Sequence, residues 1–130
     1  MVVSMDLDYF KPINDRHGHA VGDKVLQAFA AALMASRRGS DIVGRMGGDE
    51  FIAILIEPPV TAEAWYQRLS ENFTELLREI ETTGGSLECT ISAGAVALRD
   101  EYTNAEAVLR KAGIALYRAK VEGRAKLVML

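Results

Sequence analysis

The chain is short of cysteine, of membrane-length apolar runs and of excess positive charge, and each shortage removes a class of function. Its one cysteine, Cys89, rules out an internal disulfide and suits a reducing compartment. No apolar stretch approaches the ~20 residues of a membrane-spanning helix, and no signal-peptide pattern precedes Val2. A cytoplasmic domain is expected, with no membrane insertion of its own, whether or not the parent protein is membrane-tethered. Lys and Arg number 15 against 18 Asp and Glu, a net charge of −3. That balance argues against a general binder of nucleic-acid polymers, so any anionic ligand must be held by a local cationic patch. Internal repeats and low-complexity tracts are missing, and Pro58-Pro59 reads as a connection rather than a domain linker. Zinc is disfavoured too. His17 and His19 straddle Gly18, but no third histidine or cysteine cluster joins them, and both are expected as turn residues in a loop.

What is present suffices for one domain over 1–130 with a real core. Apolar residues make up 49% of the chain and charged residues 25%, ordinary for a soluble globule. Apolar spacing predicts helices over 21–37 (Val25, Leu26, Phe29, Leu33), 62–81 (Trp65, Leu69, Phe73, Leu76, Ile80) and 104–121 (Val108, Ala112, Ala115, Leu116). Strands are predicted over 2–8, 41–46, 50–57, 87–98 and 126–130. The first six of these elements run β-α-β-β-α-β. That is an α+β, ferredoxin-like order with helices on one face of an antiparallel sheet, followed by a C-terminal helix and strand.

Two acidic elements carry chemistry. Gly47-Gly48-Asp49-Glu50-Phe51 sits between two predicted strands, at the tip of a hairpin. Glycines permit φ > 0 and leave backbone amides bare, so a triphosphate could lie against them. The acids behind them would face that charge, which requires a cation between. The bland alternative is an ordinary Gly-Gly-Asp turn. In the first strand Val3, Met5 and Leu7 alternate with Ser4, Asp6 and Asp8, so both acids share one face. Two ionised acids there repel and lose hydration unless a cation or donors compensate. Oxygen-only ligands favour Mg²⁺ or Mn²⁺. A strand end with both acids in water is the alternative.

Met5-Asp6-Leu7-Asp8-Tyr9-Phe10-Lys11-Pro12-Ile13-Asn14-Asp15, Gly18-His19-Ala20-Val21-Gly22-Asp23 and Arg45 to Phe51 together resemble the diguanylate cyclase, or GGDEF-domain, family. Thr90-Ile91-Ser92-Ala93-Gly94 and the run from Ala115 to Arg124 follow in the family's order. The resemblance runs from about residue 2 to the C-terminus. It implies condensation of two GTP into cyclic di-GMP with release of pyrophosphate, on a palm-like core related to class III nucleotide cyclases. It implies Asp6, the Leu7 carbonyl and Asp49 as ligands of Mg²⁺ or Mn²⁺. Glu50 either completes the metal shell or receives the 3′-hydroxyl proton. Phe10, Lys11, Gly47, Gly48, Lys120 and Arg124 are implied in substrate binding. Lys120 and Arg124 share one side if the last helix extends that far.

Guanine selection falls to Asn14 and Asp23 by the same resemblance. A carboxylate can accept from guanine N1–H and N2–H₂ while an amide N–H serves O6, and adenine N1 would be repelled. Unaided, Asn14-Asp15 reads as a turn and Asp23 as a helix N-cap. Arg38-Gly39-Ser40-Asp41 resembles the family's Arg-x-x-Asp inhibitory site for the product, although Arg37-Arg38 also suits a helix C-terminus. A cyclic dinucleotide needs two facing sites, hence a homodimer, which the two-fold symmetric product could itself bridge. Two features depart from the family. The chain lacks the helix expected before the first strand, so it is read as a trimmed domain of a longer protein with an upstream regulatory region, leaving apolar surface uncovered. Gly113 stands where an acid usually precedes Ala-Leu-Tyr. Two other functions compete with the enzyme: a weakly active module that binds cyclic di-GMP, and a structural dimerisation unit.

Overall fold

Alternation along the first strand decides how the layers stack. The computed structural model describes residues 1–56, 61–99 and 101–130, so the Pro58-Pro59 connection lies outside the described residues. Strand β1 (Val2–Leu7) is followed by helices α1 (Phe10–His17) and α2 (His19–Ser36), then by the hairpin β2 (Ile42–Gly47) and β3 (Glu50–Ile54). Helix α3 (Ala62–Arg78), strand β4 (Ile91–Val96), helix α4 (Ala105–Val121) and strand β5 (Leu127–Met129) complete the order. The sheet runs β2-β3-β1-β4-β5. β1 lies at its centre, antiparallel to β3 and β4. β5 adds to β4 in parallel, making the sheet mixed.

Val3, Met5 and Leu7 point to one face and join Phe51, Ala53, Ile91 and Ala93 under α2 and α3. Trp65, Phe29 and Phe73 are buried there. Phe29 meets Phe51 edge-on at 4.7 Å and Phe73 at 5.1 Å, a favoured aromatic geometry. Side chains on the other face meet α4. Val2 and Val96 pack there with Val108 and Ala112. The two helices of the first six predicted elements share one face as expected, and α4 covers the opposite one. Its cover is incomplete: along the row Val96, Val2, Ile54, Ile42, exposure climbs from 1% at Val96 to 56% at Ile42.

Helix α1 departs from the sequence reading. Residues 10–17 form a helix where the sequence reads Asn14-Asp15 as a turn, and His17 ends it. His19 opens α2, so Gly18, at φ 89°, is the junction between two helices rather than part of a loop. Asp23 is the fifth residue of α2 instead of its cap. Caps form elsewhere: Thr61 accepts from Ala64 N at 3.1 Å, and Asn104 accepts from Ala107 N at 2.9 Å. The predicted strand over 87–98 shortens to β4, leaving Cys89 outside it but buried.

Candidate functional site

The site forms where the end of β1 meets the β2–β3 hairpin and the C-terminus of α4. Gly48 and Asp49 make the hairpin turn, with Gly47 at φ 150° and Gly48 at φ 55°, a left-handed geometry that favours glycine. Arg45 Nε braces the turn by donating to the Gly48 carbonyl at 2.8 Å. Leu7 N donates to the Asp49 carbonyl at 3.3 Å, tying the turn to β1. Asp6 and Glu50 are direct cross-strand partners, so they share a face.

Asp6 is 7% exposed, and burial raises its carboxyl above the ordinary value. A hydrogen bond from Lys120 opposes that rise, while hydrogen bonding to Asp49 and the Asp49 charge push it further up. The Lys120 ammonium contacts Asp6 Oδ2. The other oxygen, Asp6 Oδ1, is buried without a hydrogen-bond partner. An unpartnered buried carboxylate oxygen beside a second acid is the situation a hard cation relieves. No cluster of three His, Cys, Asp or Glu side chains occurs among the described residues. A divalent ion held here would therefore draw on Asp6, Asp49 and backbone or phosphate oxygens, as Mg²⁺ commonly does.

Asp8 has the opposite character. It is 3% exposed, and Ser92 Oγ donates to it at 2.6 Å, Thr90 Oγ1 at 2.7 Å and Ala125 N at 3.1 Å. These donors compensate its charge, with the Arg124 guanidinium nearby. Arg124 lies beyond the end of α4 with φ 63°, so it reaches the site by a turn rather than by helical spacing with Lys120. Its Nε is 4.0 Å from Asp8 Oδ1, and its guanidinium lies 4.9 Å from the centre of the Tyr9 ring. Tyr9 is itself left-handed at φ 58°. Asp8 and Tyr9 thus hold a cation assigned from the sequence to phosphate, a positioning role that sequence reading missed. Two hydroxyls at 90 and 92, spaced to face one side of a strand, were the available signal.

The family profile described as "Diguanylate cyclase, GGDEF domain" matches residues 1–126. The chain belongs to the GGDEF diguanylate cyclase family. It is 38% identical over 128 residues to the diguanylate cyclase DgcP of Pseudomonas aeruginosa, covering 98% of this chain and 19% of that protein. Diguanylate cyclase A of Treponema denticola is 33% identical over 129 residues, covering 98% of this chain and 34% of that protein. The chain thus spans about a third or less of these curated relatives. Among solved structures, the GGDEF domain of YfiN (TpbB) from P. aeruginosa superposes with TM-score 0.78 at 33% identity, covering 98% of this chain and 80% of that one.

In this GGDEF domain the remaining residues assigned from the sequence fall into two further groups. Phe10, Lys11 and Asn14 lie on α1 and Asp23 on α2. Phe10 packs against the core, whereas Lys11 and Asp23 are exposed. Arg38 and Asp41 lie in the α2–β2 connection, away from Asp6. Asp41 is 3% exposed, and both its oxygens are engaged: Oδ2 accepts from Arg38 N at 3.1 Å and Oδ1 from Ile56 N at 3.0 Å. Arg38 Nε is 3.9 Å from the same carboxylate. Asp41 therefore clasps its own turn and the segment that follows β3. Cys89 is chemically quiet, because burial and then the Asp8 and Asp49 charges push its thiol up to about 12. Among the described residues no helix is long and apolar enough to cross a membrane.

Proposed function

We propose that this chain is a diguanylate cyclase, a single GGDEF domain over 1–130 of a longer cytoplasmic signalling protein with an upstream regulatory region. Two copies face each other, each holding one GTP. The 3′-oxygen of one GTP attacks the α-phosphorus of the other, and the bond to the bridging oxygen of pyrophosphate breaks. Repeating the step in the opposite sense closes the ring, giving cyclic di-GMP and two pyrophosphates. The hydroxyl proton goes to Glu50 or to water, and Glu50 alternatively belongs to the cation shell. Asp6, Asp49 and the Leu7 carbonyl would hold Mg²⁺ or Mn²⁺, which when bound neutralises phosphate charge and acidifies the attacking hydroxyl. Lys11, Lys120 and Arg124 balance the triphosphate, Gly47 and Gly48 let it approach the backbone, and Phe10 supports α1. Asn14 and Asp23 read guanine.

The observation that carries this reading is the buried, unpartnered Asp6 Oδ1 beside Asp49 at the Gly-Gly turn, with Lys120 on the same carboxylate. Support for product control comes from Arg38 in the α2–β2 connection. A solved relative, the coiled coil and GGDEF domain of DgcB from Caulobacter crescentus in complex with c-di-GMP, shares 26% identity and TM-score 0.81, over 99% of this chain and 68% of that one. Incubation with GTP and Mg²⁺, followed by chromatographic resolution of products, tests the proposal. Cyclic di-GMP and pyrophosphate in a 1:2 ratio are expected. If paired domains at high concentration yield no product but bind cyclic di-GMP, the chain is a product-sensing module instead.

A further inference from the structure

Gly22 occupies a position where a side chain would be easy to place on sequence grounds, inside the first turns of an 18-residue helix. Glycine there costs roughly 1 kcal/mol against alanine. The structure contains a reason for tolerating that cost. An ideal Cβ on Gly22 would lie 1.7 Å from Asn14 Oδ1 and 2.9 Å from Asn14 Cγ, with Asn14 Nδ2 next at 3.5 Å. The three nearest atoms are all from the amide of one side chain on α1. The Asn14 amide therefore lies across α2 in the space a β-carbon would fill, oxygen inward against Gly22 and nitrogen further out. Gly22 is buried, and the next residue along α2 is Asp23.

We infer that Gly22 is a specificity-determining residue for the guanine base, acting through Asn14. It contributes an empty volume. Into that volume the Asn14 amide docks, which fixes its rotamer, leaves Nδ2 rather than Oδ1 for a ligand, and anchors it one residue from Asp23 along α2. An amide donor and a carboxylate acceptor held side by side match O6 and the N1–H and N2–H₂ edge of guanine. Any β-carbon at residue 22 evicts the amide and disperses the pair, while leaving both functional groups in the chain. The inference rests on the proposal that Asn14 and Asp23 read guanine, so its test must separate the two.

A double-mutant cycle does so. Binding of the α,β-methylene analogues of GTP and ATP, in Mg²⁺, is measured by calorimetry for the parent chain, Asn14→Ala, Gly22→Ala and the double variant. Melting curves are recorded for each. Asn14→Ala should weaken the GTP analogue about tenfold with little change for the ATP analogue. Gly22→Ala should reproduce that loss and that selectivity change. In the double variant the loss should be no larger than in either single one, because no amide remains to be evicted. Its melting temperature should equal or exceed that of Asn14→Ala, since alanine is the better helix former. Should Gly22→Ala fail to fold, refolding in the double variant still identifies the Asn14 clash as the cause. Multiplying losses in the double variant overturn the inference, as does full GTP-analogue affinity in Gly22→Ala when Asn14→Ala has lost it. Equal instability of Gly22→Ala and the double variant also overturns it, by showing that the glycine serves helix packing alone. Unchanged binding by Asn14→Ala overturns instead the underlying assignment of Asn14 to guanine.

Discussion

Single side chains at the site divide into those whose buried valence is satisfied and those whose valence is not. Asp8 accepts three hydrogen bonds, whereas Asp6 keeps one buried oxygen without a partner, which is what the proposed cation site uses. Asp6→Asn and Asp49→Asn should each reduce cyclic di-GMP formation by ~100-fold or more while the far-ultraviolet spectrum is retained, as assayed by product chromatography on paired domains. At the second acidic position the two motif residues should separate. Arg38→Ala is expected to lower cyclic di-GMP affinity, measured by calorimetry, with a smaller loss of melting temperature than Asp41→Ala because both amide bonds to Asp41 remain. Asp41→Ala should lower the melting temperature as well, by the equivalent of ~1–3 kcal/mol, because it orphans two amide donors. Cys89 gives a pH test. Its thiol keeps its proton in the folded chain up to about 12, against an ordinary value of 9.0. Between those values the unfolded state binds fewer protons, so stability falls as pH rises. Cys89→Ala should flatten that part of the alkaline limb in denaturant titrations, with Tyr66, also raised by burial, supplying the slope that remains.

Elements were legible where period and length agreed. Helices α2, α3 and α4 came from runs of 17 or 18 residues with apolar stripes, and the hairpin from its two glycines. Helix α1 escaped because it has eight residues, one buried side chain, Ile13, and a proline in its first turn. Proline is harmless there, where its missing N–H would be unpaired anyway. The acids of the site were visible as a same-face pair, but which of them was satisfied depended on Thr90, Ser92 and Ala125, more than 80 residues away. Two glycines show how differently one residue type can act in neighbouring elements. Gly113 sits exposed on α4, where an added β-carbon would meet nothing within 4 Å. Gly113→Ala should raise stability by up to ~1 kcal/mol in thermal melts. Gly94 lets β4 touch α4, and a β-carbon there would stand 2.1 Å from Leu116 N. Gly94→Ala should cost ~1–3 kcal/mol, and by pushing α4 off the sheet it should also weaken GTP binding through Lys120.

For the molecule as a whole, the proposed function puts one GTP in each site while the product joins two, so output should depend on pairing. Specific activity should rise with protein concentration over a dilution series, and rise further on fusion to a parallel coiled coil that lifts the effective concentration of the partner. Sedimentation with and without cyclic di-GMP checks whether product bridges two chains; constant high activity in a monomeric sample would contradict the pairing. The ion pair across the site has a consequence in time as well as in space. Asp6 and Lys120 are 114 residues apart, and Asp8 and Ala125 are 117 apart. At ~5–20 residues per second, synthesis separates each acid from its partner by roughly 6–23 s. Throughout that interval the central strand of the sheet is made, but the corner around Asp6 and Asp8 cannot close. A fragment that ends before Lys120 has no ammonium against which to seat Asp6. Whatever this corner binds, it can bind only after residue 125 has been made, because the first residues of the site wait for the last.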